Sequence, residues 1–265
     1  MLPEHNIPVE VTFLGTGTSQ GVPVIACPCP VCRSASAFDK RLRSSILINV
    51  RGKNIVIDAG PDFRQQMLTR DVLSLRAILL THEHADHIFG LDDIRSYNWL
   101  QKQPMDIYAE ERVQDELKRI FKYVFAKFKY PGIPEMAMHK IESDIFCIDD
   151  IPVTPIRCFH YKLPVLGFRV GGVTYITDTN HIPPDEEDKV KGTEILIINA
   201  LRKEKHISHF SLGEAISFAQ RINPSKTFFT HISHSMGFHE EVQASLPDNM
   251  YLAFDGLRVS TELRM

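Results

Sequence analysis

No stretch of the 265-residue sequence stays apolar for the ~20 residues that a membrane-spanning helix requires, so no span is expected. The opening residues, MLPEHNIPVEVTFLGTG, lack a basic leader and an apolar stretch behind it, which argues against a secretory signal and makes the cytoplasm the expected compartment. Neither sign of charge is in excess. Thirty Lys and Arg against 33 Asp and Glu leave a net −3, which disfavours nucleic acid as a partner. Low-complexity tracts and short repeats are missing too. Cysteine is sparse: five in a chain of this length do not make a disulfide framework, and clustered ones in a reducing compartment read as metal ligands. Cys147 and Cys158, each in an apolar run, read as buried thiols.

What is present is a succession of apolar runs that end on polar groups. VEVTFLG (9–15), SSILINV (44–50), NIVIDAG (54–60), LRAILLTH (75–82), TEILIINA (193–200) and KTFFTHIS (226–233) read as strands. Having few polar positions, they imply a sheet buried on both faces under helices. DFRQQMLTRD, with Pro61 ahead of it, reads as a helix, as does SLGEAISFAQRI with a capping box at Ser211 and Glu214. Residues 109–128 carry a helical stripe of Val113, Leu117, Ile120, Phe121 and Val124, followed by basic residues that include Lys127 and Lys129. MYLAFDGLRVST reads as a closing hairpin or edge pair about Asp255–Gly256.

CPCPVC places Cys27, Cys29 and Cys32 one ligand short of a closed tetrahedral zinc site. THEHADH is denser still. His82, His84, Asp86 and His87 follow directly on a strand, and so many ionisable groups crowd together at high cost unless they share a metal or a hydrogen-bond network. His160, Asp178 and His231 also end apolar runs, which puts them at one edge of the sheet. The sum is His82, His84 and His160 for one ion, Asp86, His87 and His231 for a second, and Asp178 bridging both. Such nitrogen and oxygen donors suit zinc, manganese or iron. Two ions ~3.5–4 Å apart can activate a hydroxide and stabilise a departing oxygen, which is hydrolytic chemistry. Asp58 is a candidate for orienting a ligand histidine from behind. For a general acid the choice lies between His209 and His206, with His209 preferred because it is needed for neither ion.

THEHADH matches the T-H-x-H-x-D-H signature of the metallo-β-lactamase superfamily. Together with TFLGTGTSQGVP, CPCPVC, RLRSSILI, IDAGPDFR, TDT, THISH and FDG, it resembles the PhnP-like phosphodiesterase branch, from about residue 11 to the last strand. The resemblance implies an αββα sandwich of two mixed sheets flanked by helices, with a dinuclear site at one edge. It implies the same seven metal ligands, His209 as the catalytic histidine, and a structural zinc on Cys27, Cys29, Cys32 and His234. Where the branch's phosphonate-pathway member is shorter, residues 92–140 read as a helical insertion bordering the active site of a single domain, 1–265.

The expected function is therefore a metal-dependent phosphodiesterase. A hydroxide activated by two ions and oriented by Asp86 or Asp178 attacks a small phosphodiester, cyclic or open. Arg43, Ser44 and Ser45 are candidates for touching phosphate or for backing the metal ligands, and Arg95 and Tyr97 for lining the pocket, with Arg41 and Arg43 also able to face solvent. GTGTSQG lacks the G-K-[S/T] of a phosphate-binding Walker loop. Competing readings are hydrolysis of a carbonyl substrate such as a lactone or thioester, an RNA-processing nuclease, and a non-catalytic metal-binding module. A homodimer is compatible with all of them.

Overall fold

In the computed structural model, residues 7–128 and 130–263 are described, so Lys129 and the first six residues lie outside it. The first six strands build one sheet: β1 (Ile7–Gly15), β2 (Ser45–Val50), β3 (Lys53–Ile57), β4 (Ala77–Leu79), β5 (Met105–Ala109) and β6 (Met136–Lys140). The next seven build the other: β7 (Phe146–Ile148), β8 (Ile151–His160), β9 (Leu163–Val170), β10 (Val173–Ile176), β11 (Ile195–Asn199), β12 (Lys226–Thr230) and β13 (Met250–Leu252). The chain then crosses back, and β14 (Arg258–Leu263) pairs antiparallel with β1.

Strand periodicity explains why these runs are apolar almost throughout. In β3 and β4, Ile55, Ile57, Ala77 and Leu79 face the layer between the sheets, while Val56 and Ile78 face the outer helices. β11 does the same on the other side, with Ile195 and Ile197 inward and Leu196 and Ile198 under helices. The result is an αββα sandwich with three apolar layers. Truncating a fully buried side chain such as Ile57 or Ile197 to Ala costs about 2–5 kcal/mol. The helix Leu212–Ile222 carries its capping box as expected, Ser211 accepting from the Glu214 backbone while Glu214 returns to Ser211.

Strand direction sets where functional groups can gather. β3 to β6 run parallel, as do β10 to β13. β8 and β10 are both antiparallel to β9, so they run the same way as each other. Asp58, His82, Asp178 and His231 follow the C-terminal ends of their strands, His160 is the last residue of β8, and all five therefore meet at one edge of the sandwich.

Four expectations need correction. Residues 92–140 are not purely helical: they supply β5 and β6, and the helix Glu111–Ile120 stops before Phe121, which packs into the core. MYLAFDGLRVST is not a hairpin, because Asp255–Gly256 carries the chain from one sheet to the other. Cys158 is buried, but Cys147 is exposed, on the short edge strand β7. Arg41, allowed a solvent-facing position, is buried and donates to Thr16 and to the Ala253 carbonyl.

Candidate metal centre

Three strands end by turning sharply. Asp58, Asp178 and His231 all take left-handed backbone conformations, at φ of 66°, 52° and 57°. For residues other than glycine this costs of order 1–3 kcal/mol each, and it turns Asp178 and His231 toward each other while Asp58 reaches the back of His87. Gly60 completes the arrangement. A Cβ there would lie 1.9 Å from the Asp86 carbonyl oxygen, so only glycine lets the loop after β3 pass under the histidine motif.

The side chains converge on Asp178. Its Oδ1 lies 2.9 Å from His231 Nδ1, and its Oδ2 lies 3.4 Å from His87 Nε2 and 3.9 Å from His82 Nε2. His87 Nε2 is also 3.1 Å from Asp86 Oδ2, and His82 Nε2 is 2.9 Å from His84 Nδ1. Three overlapping donor groups result: Asp86, His87, Asp178 and His231; His82, His84 and Asp178; and His160, Asp178 and His209. Asp178 belongs to all three, the position expected of a bridging carboxylate. His160 and His209 sit side by side, with ring centroids 4.5 Å apart, and His209 stacks on His231 at 4.9 Å.

The donors are held from behind. Asp58, fully buried, accepts from Thr81 and lies 2.7 Å from His87 Nδ1, while Thr81 Oγ1 is 2.9 Å from His82 Nδ1. His160 Nδ1 is 2.7 Å from the Ser208 carbonyl oxygen. Asp58 was expected in this role. Thr81 and Ser208 were not, although a hydroxyl beside the first histidine of THEHADH is visible in the sequence.

The electrostatics call for cations. Burial alone would lower the His87 imidazole, yet the carboxylates of Asp86, Asp178 and Asp58 outweigh it and hold it above its usual range. Burial would raise Asp178, but His231 and His87 hold it well below. Burial, joined by the charge of His87, pushes His82 down. His87 Nε2 and His231 Nδ1 are buried without a hydrogen-bond partner while facing carboxylates. Separations near 3 Å between such donors are what shared ligation at ~2.0–2.2 Å produces, so these residues fit divalent metal ions.

The second cluster is geometrically simpler. His234 Nδ1 lies 3.3 Å from both Cys27 Sγ and Cys29 Sγ and 3.5 Å from Cys32 Sγ. Zinc at ~2.3 Å from sulfur and ~2.0 Å from nitrogen places tetrahedral neighbours roughly 3.5 Å apart, so this set fits a closed zinc site.

Residues 53–232 match the model of the beta-lactamase superfamily domain. A solved structure described as a diphosphatase from the PhnP family shares 36% identity at a TM-score of 0.93, covering 98% of this chain and 100% of its own. The chain belongs to the PhnP family of the metallo-β-lactamase superfamily. Curated relatives match over part of their own length. The octanoyltransferase of Porphyromonas gingivalis is 41% identical over 92% of this chain and 50% of its own length. A ribonuclease Z of Nostoc sp. is 29% identical over 61% of this chain and 46% of its own. The chain thus spans about half the length of these curated relatives.

Several proposed substrate contacts lie elsewhere. Ser44 is buried and donates to the Gly17 carbonyl, and Ser45 donates to the carbonyls of Ile57 and Asp58, so both brace the backbone. Tyr97 is buried with its hydroxyl on the Val72 carbonyl. Arg43 pairs with Asp62 at 2.9 Å. Arg95 pairs with Asp92 and lines a surface cavity of about 600 Å³ with Trp99 and Lys102, a cavity to which none of the metal-donor residues contributes. No helix among the described residues is long and apolar enough to cross a membrane.

Proposed function

We propose that the protein is a metal-dependent phosphodiesterase that hydrolyses a small phosphodiester or diphosphate ester. The observation that carries this reading is Asp178, buried and shared by every donor group of the centre, as a carboxylate between two ions must be. The 36% identical diphosphatase supports chemistry at phosphorus. Zinc, manganese and iron all suit the donors. In this reading His82, His84 and His160 would hold one ion, Asp86, His87 and His231 the other, and Asp178 would serve both; Cys27, Cys29, Cys32 and His234 would hold a structural zinc.

Bound divalent ions would supply an activated water and positive charge against the phosphoryl oxygens. The chain's own residues supply the rest. Asp58 fixes the His87 ring, Thr81 fixes His82, and Ser208 fixes His160, which holds the donors in place while charge develops. In this reading His209, whose ring lies against those of His160 and His231, meets the substrate. Burial pushes it down to about 3, so at neutral pH it is uncharged and offers one N–H to a phosphoryl oxygen. An anionic phosphate brought against it favours its protonation, and the proton is then available to a leaving alkoxide.

The test is a substrate panel at controlled metal loading: bis-p-nitrophenyl phosphate, a diphosphate ester, a 2′,3′-cyclic nucleotide, cyclic ribose phosphate, a tRNA precursor, a β-lactam and an acyl thioester. The octanoyltransferase name of the Porphyromonas gingivalis relative is the reason an acyl thioester belongs on it. Metal-dependent turnover of the phosphorus esters is expected. Turnover of the carbonyl substrates alone would overturn the reading.

A further inference from the structure

The loop after β1, GTGTSQG, is left over from the catalytic scheme. It is not a Walker loop, yet it packs tightly against the end of β12. Ile232 N donates to the Thr16 carbonyl, Thr18 N donates to the Ile232 carbonyl, and Gly17 forms a bridge with Ile232. The loop is thereby in register with the residue that follows His231. Thr18 is buried, and its Oγ1 lies 3.2 Å from His231 Nε2.

His231 is therefore gripped at both nitrogens. Nδ1 faces Asp178 at 2.9 Å with no hydrogen-bond partner, and Nε2 faces the Thr18 hydroxyl. A neutral imidazole carries its proton on one nitrogen only, and a nitrogen that binds a metal must be the bare one. Asp58, Thr81 and Ser208 settle this choice for His87, His82 and His160. His231 needs its own partner.

We propose that Thr18 is the positioning residue for His231: its hydroxyl accepts the Nε2 proton and so keeps Nδ1 bare toward the metal centre. The inference rests on the reading of His231 as a metal ligand. It also assigns a task to the loop that joins β1 to the cysteine stretch, which is to hold the ligand that ends β12.

The test compares Thr18→Val, which keeps the shape and loses the hydroxyl, with Thr18→Ser, which keeps the hydroxyl. Each is purified with its metals, and zinc retention is titrated against a competing chelator. Thr18→Val should hold zinc in the His/Asp centre ~10–100-fold more weakly and keep the cysteine-site ion, with Thr18→Ser close to wild type. In the zinc-loaded wild type, nitrogen-15 spectra should show a slowly exchanging His231 Nε2–H proton that Thr18→Val loses. If Thr18→Val does not accumulate as folded protein, Thr18→Ala carries the same comparison. Wild-type zinc retention together with an unchanged Nε2–H signal in the hydroxyl-free variant would overturn the assignment. His231→Ala is the control: should it keep every ion, the ligand reading beneath the proposal fails instead.

Discussion

Two clusters of metal-type donors lie three residues apart at the end of β12, and they are built on opposite plans. His234 faces three cysteines, four donors at mutual distances that leave room for one ion and no fifth group. His231 faces a centre with more donors than one ion can use, all meeting at Asp178. The cysteine set is saturated by its own ligands, which suits structure. The His/Asp set is oversupplied and braced by Asp58, Thr81 and Ser208, which suits chemistry.

Asp178→Ala should break this contrast hardest. It removes the carboxylate common to all three donor groups, so phosphodiester turnover should fall by far more than the ~10–100-fold typical of an outer partner. Elemental analysis should show metal lost from the His/Asp centre and the cysteine-site zinc retained. Equal loss from both clusters would show that they are one cooperative unit.

Cys29→Ser or His234→Ala approaches from the other side. About one zinc per chain should disappear while the two ions of the catalytic centre remain. Because a zinc held there would tie the loop after β1 to the end of β12, stability should fall by several kcal/mol, each costing roughly 2–4 °C in melting temperature. Retention of all three ions in either variant would sink the structural-zinc assignment.

Asp58→Asn tests the bracing alone. The amide keeps the shape but loses the charge that faces His87 Nδ1 at 2.7 Å, so turnover and metal affinity should each drop by ~10–100-fold. A chelator titration against wild type checks this, and the cysteine site should not respond.

How much of this was legible in the sequence follows the same division. The strands of the two sheets could be read because burial on both faces makes their runs almost wholly apolar, as in Ile195–Asn199. β5 and β6 could not, since MDIYA and MAMHK are short and partly exposed, and the neighbouring helical stripe dominated the pattern. Asp255–Gly256 carries the signal of a hairpin turn, but the turn connects different sheets, which only long-range packing decides. The His/Asp donors were named from spacing at strand ends, the cysteines from their C-x-C-x2-C spacing and His234 from the family resemblance, and the structure groups them accordingly. Arg95 and Tyr97 were judged by nearness in sequence to THEHADH, and that says nothing of which way a side chain points.

The smallest effect should come from His239, which lies five residues after His234 of the cysteine cluster. Phe238, its neighbour in the chain, packs with Val22, Val31 and Cys32, and the His239 ring lies 3.1 Å from the Arg41 guanidinium. Burial, helped by Arg41 and opposed by Asp39, lowers His239 to about 4. An unfolded histidine titrates near ~6.5, so the folded protein resists taking up this proton. The stability it contributes is therefore present above about pH 6.5 and lost as pH falls through about 4. Between pH 7 and 5 the loss should be no more than about 2 kcal/mol. His239→Gln removes the titration, so its denaturant midpoint should fall less steeply than that of wild type over this range. An unchanged slope would mean that acid sensitivity resides with the cysteine thiolates or the His/Asp centre, and that His239 is only packing.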